Sequence, residues 1–156
     1  MHNRKRVFII LLGTWLLLST LTVTLFVFGN PIARAVLGMA WGVIIFWIVI
    51  CGGFMYRFRE PIRNLVWKIR LNWQIKFVLF ATLLVLIEEA ITTIMTNLAP
   101  FFGVKIGEAY ITASTNFFDV IFFHSVINFI GIFIFWALTL KRYDFSPFAT
   151  FLIFGI

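Results

Sequence analysis

The sequence contains few charged residues and especially few acids. Only 12% of its 156 residues are charged, and Asp and Glu together number six. A soluble domain carries about 25% charged residues, so this composition excludes a soluble or a disordered protein. The sequence has 13 Lys and Arg residues, and their excess over the six acids gives a net charge of +7. A positive charge is compatible with a nucleic-acid partner. The cations, however, lie beside the long apolar runs, and membrane topology already explains that placement.

The sequence also lacks residues and motifs on which several classes of protein depend. Its one cysteine, Cys51, excludes an intrachain disulfide and lies in an apolar run, where a small buried side chain is expected. No phosphate-binding Gly-rich loop, no Gly-x-Ser-x-Gly motif and no internal repeat is present. The sequence therefore indicates neither a phosphate-loop nucleotide site nor a serine hydrolase of the α/β type.

Long apolar runs dominate the sequence. Hydrophobic residues make up 62% of the chain, and the mean hydropathy is +1.04. About 20 apolar residues cross a bilayer as a helix. Four runs reach this length, at residues 7–28, 35–56, 77–98 and 116–140. We therefore predict an all-α integral membrane protein, in which residues 1–156 form a single domain with four transmembrane helices. The first run exceeds the length of a signal-peptide core, which favours an uncleaved first helix.

The one extended polar region is at residues 57–76, RFREPIRNLVWKIRLNWQIK. Its first part has apolar residues at helical spacing, whereas residues 67–76 also alternate between apolar and polar as a strand would. An isolated strand beside a membrane would leave its backbone unpaired, so an interfacial amphipathic helix is favoured. The tryptophans and cations of this region suit the headgroup layer. We expect the region to lie on the membrane surface.

Two further segments carry weaker signals. Residues 101–115 mix polar, aromatic and small side chains, and we expect an ordered loop that lies over the bundle. Residues 146–156 begin with helix-capping residues and then become apolar. This last segment is too short to cross the bilayer. We expect either a short re-entrant or surface segment or a fifth helix that the sequence cuts short.

The cations predict the orientation of the chain in the membrane. They cluster beside the apolar runs, at residues 4–6, 57–76 and 141–142. With a cytoplasmic N-terminus, 11 of the 13 cations lie on the cytoplasmic side, in agreement with the positive-inside rule. We therefore expect a multi-pass protein of the cell membrane with its N-terminus in the cytoplasm. The expected partners are the lipid bilayer and other membrane proteins, and no nucleic acid is expected.

Two adjacent acids, Glu88 and Glu89, lie in the middle of the third apolar run. An ionisable side chain at mid-membrane costs roughly 2.5–3.5 kcal/mol on insertion scales and is a functional-site candidate. His124 approaches a similar depth from the opposite face, and Asn128 shares its side of the helix. Two carboxylates and an imidazole have the chemistry to bind a divalent cation or to activate a water. We predict catalytic roles for Glu88, Glu89, His124 and Asn128, and metal ligation by Glu88, Glu89 and His124.

These residues resemble the CAAX prenyl protease and bacteriocin-processing family of intramembrane proteases. Glu88 and Glu89 match the double Glu of that family, and Thr93 stands at the position of its Arg. His124 lies at the spacing of the family's first His, with valine four residues earlier where the family has Phe. The stretch from His124 to Asn128 also has the form of the family's last motif, so a second His is missing. The resemblance implies a Glu-activated water that attacks a peptide bond near the membrane face.

Three other interpretations of the same polar residues stay open. The first is a hydrogen-bonded network that joins the third and fourth helices and serves packing alone. The second is a non-catalytic subunit of a larger complex, whose small and aromatic residues pack against partner proteins, lipid or a pigment, with His124 as a candidate haem ligand. The third is a proton or ion pathway through Glu88, Glu89, Asp119 and His124. The sequence does not identify a cofactor.

Overall fold

The structure, a computed structural model, describes residues 2–27, 29–146 and 148–149. Within these ranges the chain forms helices joined by turns and loops, and no strand is present. The helices are α1 (His2–Phe26), α2 (Pro31–Val43), a π-helix (Ile44–Cys51), α3 (Gly52–Arg57), α4 (Arg59–Lys68), α5 (Trp73–Asn97), a 3₁₀-helix (Ala99–Phe102), α6 (Phe117–Phe123) and α7 (Ser125–Arg142). The all-α class predicted from the sequence is confirmed.

Four helical segments are long and apolar enough to cross a membrane, which supports a multi-pass membrane protein. They are Val7–Phe26, Pro31–Arg57, Trp73–Asn97 and Phe117–Arg142. The second consists of α2, the π-helix and α3 in sequence, and the fourth consists of α6 and α7. The four predicted spans are therefore confirmed, although their ends are shifted by a few residues. The predicted C-terminal segment at residues 146–156 lies almost entirely outside the described residues.

The polar region at residues 57–76 is helical over only part of its length. α4 covers Arg59–Lys68, residues 69–72 leave the helix, and α5 already begins at Trp73. The strand alternative for residues 67–76 is therefore wrong. A helix satisfies its own backbone hydrogen bonds beside a membrane, whereas an unpaired strand leaves them open.

α5 lies at the centre of the bundle. α7 packs along its first half, and the two helices form a core that contains Val85, Val126 and Phe133. α2 packs against its last half, and Met39 and Met95 belong to a second core that the 3₁₀-helix completes. α1 lies apart from both cores, since none of its described side chains is buried. We call the membrane face at which α4 lies the near face, and the face at which α5 ends the far face.

Two glycines allow α2 to approach its neighbours closely. A Cβ atom on Gly38 would lie 2.5 Å from Cδ1 of Phe102, and one on Gly42 would overlap Sδ of Met95. Membrane helices associate through close packing rather than through the hydrophobic effect, so small residues at such contacts are typical. These glycines place α2 against the end of α5, where the buried acid lies.

Candidate functional site

Glu89 is the buried acid of the bundle. It lies eight residues before α5 ends at Asn97, which is about 12 Å along a helix of 1.5 Å rise per residue. α5 as a whole is about 37 Å long by the same measure, so Glu89 belongs to the half nearer the far face. The helix continues on both sides of the acid, so the carboxylate is far from either end of α5. A buried carboxylate without water needs polar partners within the bundle.

A loop that returns from the far face supplies one of these partners. We call residues 103–116, between the 3₁₀-helix and α6, the far-face loop. Thr112 of this loop donates a hydrogen bond from Oγ1 to Oε2 of Glu89, at 3.0 Å. Thr92, one turn further along α5, donates from Oγ1 to the same oxygen, also at 3.0 Å. Oγ1 of Thr92 also lies 3.1 Å from the backbone carbonyl oxygen of Glu89, so its one hydrogen is shared between these two acceptors. We call Glu89, Thr92 and Thr112 the carboxylate cluster.

Further hydrogen bonds fix the far-face loop to the end of α5. Asn97 donates from Nδ2 to the carbonyl oxygens of Thr93 and Thr115, at 2.9 and 2.8 Å. The fully buried Thr96 accepts the backbone N–H of Ile111 at its Oγ1, at 3.4 Å. The loop also contributes two buried side chains to the core beneath it. The ordered loop over the bundle that the sequence predicts is confirmed.

Two glycines determine the course of the far-face loop. Gly103 ends the 3₁₀-helix with a φ of 86°, and Gly107 has a φ of 93°. Side chains other than glycine rarely adopt this left-handed region. Between the two glycines, the backbone N–H of Lys105 donates to the carboxylate of Glu108 at 2.8 Å. The first part of the loop therefore consists of two defined turns. The chain then continues to Thr112, whose side chain contacts Glu89.

The hydroxyl of Thr93 has no hydrogen-bond partner within the part of the chain that the structure describes, although it is buried. A buried hydroxyl without a partner costs free energy, because it has lost its contacts with water. The Thr93 hydroxyl lies on α5 one turn after Glu89 and extends the polar side of the helix.

His124 is not joined to the carboxylate cluster. Its backbone angles, φ −131° and ψ −110°, interrupt the fourth span, so that α6 ends at Phe123 and α7 begins at Ser125. Its side chain is exposed on the surface of the bundle. Asn128 donates from Nδ2 to the backbone carbonyl of His124 at 2.9 Å, which satisfies an oxygen at the break. The fourth predicted span therefore consists of two helices rather than one. The side chain of Asn128 hydrogen-bonds to the backbone at their junction.

Asp119 belongs to the start of α6. Its Oδ2 accepts a hydrogen bond from the hydroxyl of Ser114 at 3.2 Å. The side chain of Asn116 caps the same helix by accepting the backbone N–H of Phe118 at 2.9 Å. Side chains of this kind at a helix start stabilise its unpaired N–H groups. Asp119 therefore supports the far end of the fourth span.

The predicted metal ligands are not gathered in this structure. Among the described residues, no group of three or more His, Cys, Asp or Glu side chains is placed to hold a metal ion. Glu88 lies half-buried beside the carboxylate cluster, and His124 faces outward. The metal-binding and catalytic roles of Glu88, Glu89, His124 and Asn128 stay predictions.

Comparisons with protein-family models, with curated proteins and with solved structures find no match to this chain. Its function has to be inferred from its own residues. The residue that sequence reasoning missed is Thr112, which is separated from Glu89 by 23 positions. The one signal for it is that a polar loop directly follows a membrane helix with a buried acid.

Replacing Glu89 tests whether the cluster is a structural bond. Glu89→Leu removes the acceptor of the Thr112 hydroxyl, while Thr92 keeps the backbone carbonyl of residue 89 as an acceptor. We expect the free energy of unfolding to fall by about 1–2 kcal/mol. Glu89→Gln retains a carbonyl oxygen that accepts both hydrogen bonds, so we expect less than half of that loss. Unfolding in mixed micelles, followed by circular dichroism, measures both variants. An equal loss in the two would mean that the negative charge, and not the acceptor, stabilises the loop.

Proposed function

We propose that this chain is a non-catalytic subunit of a larger assembly in the cell membrane. The observation that supports this proposal most is the pair of hydrogen bonds from Thr92 and Thr112 to Glu89. Hydrogen bonds from hydroxyl groups of the same chain hold a buried carboxylate in place. Here they tie Oε2 of Glu89 to α5 through Thr92 and to the far-face loop through Thr112. The buried acid thus has a structural task, which is to hold the far-face loop on α5.

The far-face loop is the contact surface of the proposed subunit. Phe101 beside it and Ile106 and Tyr110 within it are exposed, although the loop backbone is fixed. Aromatic side chains are enriched in protein interfaces, where they fill pockets of the partner. A loop that is already ordered loses little conformational entropy when a partner binds. An ordered loop with exposed apolar side chains therefore suits recognition of another membrane protein.

The distribution of cations supports the proposed orientation. α4 and the end of α7 lie at the near face, together with most Lys and Arg of the chain. Cations next to membrane spans are retained on the cytoplasmic side. The far-face loop then contacts its partner on the outer side of the membrane.

Photo-crosslinking tests the proposed interface. Tyr110→p-benzoylphenylalanine places a reactive ring in the far-face loop, and we expect one discrete crosslink to another protein in native membranes. The matched control is Phe135, an exposed residue of α7 in the middle of the fourth span, where the same label should react with lipid only. Adding Glu89→Leu should weaken the Tyr110 crosslink because it removes one of the hydrogen bonds that hold the loop on α5. Glu89→Gln should preserve it.

Two outcomes would contradict the proposal. One is a Tyr110 label that captures no protein while the chain purifies as a colourless monomer. The other is a crosslink that is insensitive to Glu89→Leu, since the fixed loop would then be irrelevant to binding.

An intramembrane hydrolase is the second candidate function. It is favoured by Glu88, a second, half-buried acid that precedes Glu89 on α5. In this alternative one of the two acids activates a water. Loss of peptide cleavage in a folded Glu88→Gln or Glu89→Gln variant would favour it over the subunit. Unchanged cleavage in both variants would remove it.

A further inference from the structure

A groove runs between α4 and α5 at the near face. Two of its compartments have volumes of about 330 and 310 Å³ and share Val66, Trp67 and Phe80 as lining residues. A third compartment of about 150 Å³ continues past Phe80 to Leu83. Phe80 and Leu83 lie about 10 and 15 Å from the start of α5, at 1.5 Å per residue. Val66, Phe80 and Leu83 make the floor of the groove apolar. The depth of Phe80 and Leu83 along α5 places this floor in the hydrocarbon layer.

The rim of the groove is cationic. Arg59 and Arg63 line the first compartment, and Lys76 lines the second and the third. Nζ of Lys76 lies 5.6 Å from the ring centre of Trp67, which holds this cation against the groove wall. Glu60 pairs with Arg63 at 2.5 Å and lies 3.8 Å from Arg59. It is the one acid among six cations in residues 57–76, so the rim keeps a positive charge.

We propose that this groove is a binding site for one anionic phospholipid. The phosphate group lies between Arg59, Arg63 and Lys76, and one acyl chain runs along Phe80 towards Leu83. Guanidinium groups bind phosphate oxygens with two parallel hydrogen bonds, which makes arginine suited to this headgroup. A cationic rim above an apolar floor that points into the bilayer matches a lipid with a charged head and an apolar tail. The site lies on the opposite face from the far-face loop and does not depend on the proposed subunit function.

The dimensions of the groove argue against a protein as its occupant. A partner helix is about 10 Å across with its side chains. The three compartments, of about 330, 310 and 150 Å³, share Val66 and Phe80. Each is smaller than one turn of such a helix, roughly 420 Å³, and has room for a flexible chain of methylene groups. A soluble anion such as a free phosphate would contact the rim and leave the apolar floor empty.

Electron spin resonance with spin-labelled lipids tests the site in the whole chain. The protein is reconstituted in phosphatidylcholine vesicles with a trace of spin-labelled phosphatidylglycerol or spin-labelled phosphatidylcholine. We expect the phosphatidylglycerol label to associate more strongly than the phosphatidylcholine label. Arg59→Gln with Arg63→Gln should lower that preference about tenfold, since each cation near the headgroups adds to the attraction. Lys141→Gln with Arg142→Gln removes the same charge from the near end of α7 and should change the preference by less than about twofold.

A second variant tests the acyl-chain part of the site without a change of charge. Val66→Trp fills the point at which the two larger compartments meet, and it should also lower the association of phosphatidylglycerol. Val66 is not part of either core, so the unfolding transition should be unchanged. An equal effect of both charge pairs would overturn the proposal in favour of general surface attraction. Undiminished association in Val66→Trp, or displacement of the lipid by inorganic phosphate, would also overturn it.

Discussion

Phe133→Ala is expected to lower the free energy of unfolding by about 3 kcal/mol, at the lower end of the range for such truncations in soluble cores. Phe135→Ala, on the same helix, is expected to change it by less than about 0.5 kcal/mol. The side chain of Phe133 is 8% exposed and that of Phe135 is 65% exposed. The two variants remove the same group from α7, once from the core with α5 and once from the surface that faces lipid.

The contacts of Phe133 explain the size of this effect. Its ring meets that of Phe77 on α5 edge to face, with 6.4 Å between centroids, and stacks near that of Phe129 at 6.0 Å. In a membrane the removed ring is not transferred to water on unfolding, so the hydrophobic part of the usual cost is small. The cavity that alanine leaves between Val85 and Val126 still removes dispersion contacts from its walls. We therefore expect the cavity to dominate the loss.

Unfolding of the two variants side by side, in the same mixed micelles, measures the difference. A third variant, Phe133→Leu, refills much of the cavity and should recover more than half of the lost free energy. Equal stability of Phe133→Ala and Phe135→Ala would show that α7 does not pack on α5 through this face.

The same pair of residues shows what the sequence predicts and what it cannot. Hydropathy identifies the fourth span because most of its side chains are apolar. It does not distinguish Phe133 from Phe135, because the core of a membrane bundle and the surrounding lipid are equally apolar. A soluble helix would mark its core side by contrast with polar residues. The positions of the spans were therefore predictable, whereas their packing required the structure.

The candidate site was predictable only in part, for a different reason. Glu89 contrasts with the helix around it, so the sequence marks it directly. Thr112 is an ordinary loop threonine, and only the path of the far-face loop brings its hydroxyl to the carboxylate. For His124, a continuous fourth helix predicts a depth similar to that of the two acids. The break at His124 changes the direction of its side chain, and residues 117–125 contain no glycine or proline from which the break could be predicted.

Gly38→Leu is expected to destabilise the packing of α2 by about 2–3 kcal/mol relative to the matched variant Gly53→Leu. Both glycines lie in the helical segment Pro31–Arg57, so both substitutions gain the same helix propensity, of about 1 kcal/mol. They differ in their surroundings. A Cβ atom on Gly53 meets no atom within 4 Å, whereas one on Gly38 lies 2.5 Å from the ring of Phe102. Unfolding in mixed micelles measures the difference between the two.

The position of Phe102 makes this effect extend to the carboxylate cluster. Phe102 ends the 3₁₀-helix and directly precedes Gly103, where the far-face loop begins. A leucine at residue 38 displaces the ring, and the start of the loop has to move with it. We therefore expect faster amide exchange in the loop of Gly38→Leu, with no such change in Gly53→Leu. Adding Phe102→Ala to Gly38→Leu provides room for the new side chain and should recover part of the lost stability. Strictly additive losses in the double variant would mean that the two residues do not touch, and that α2 does not position the loop.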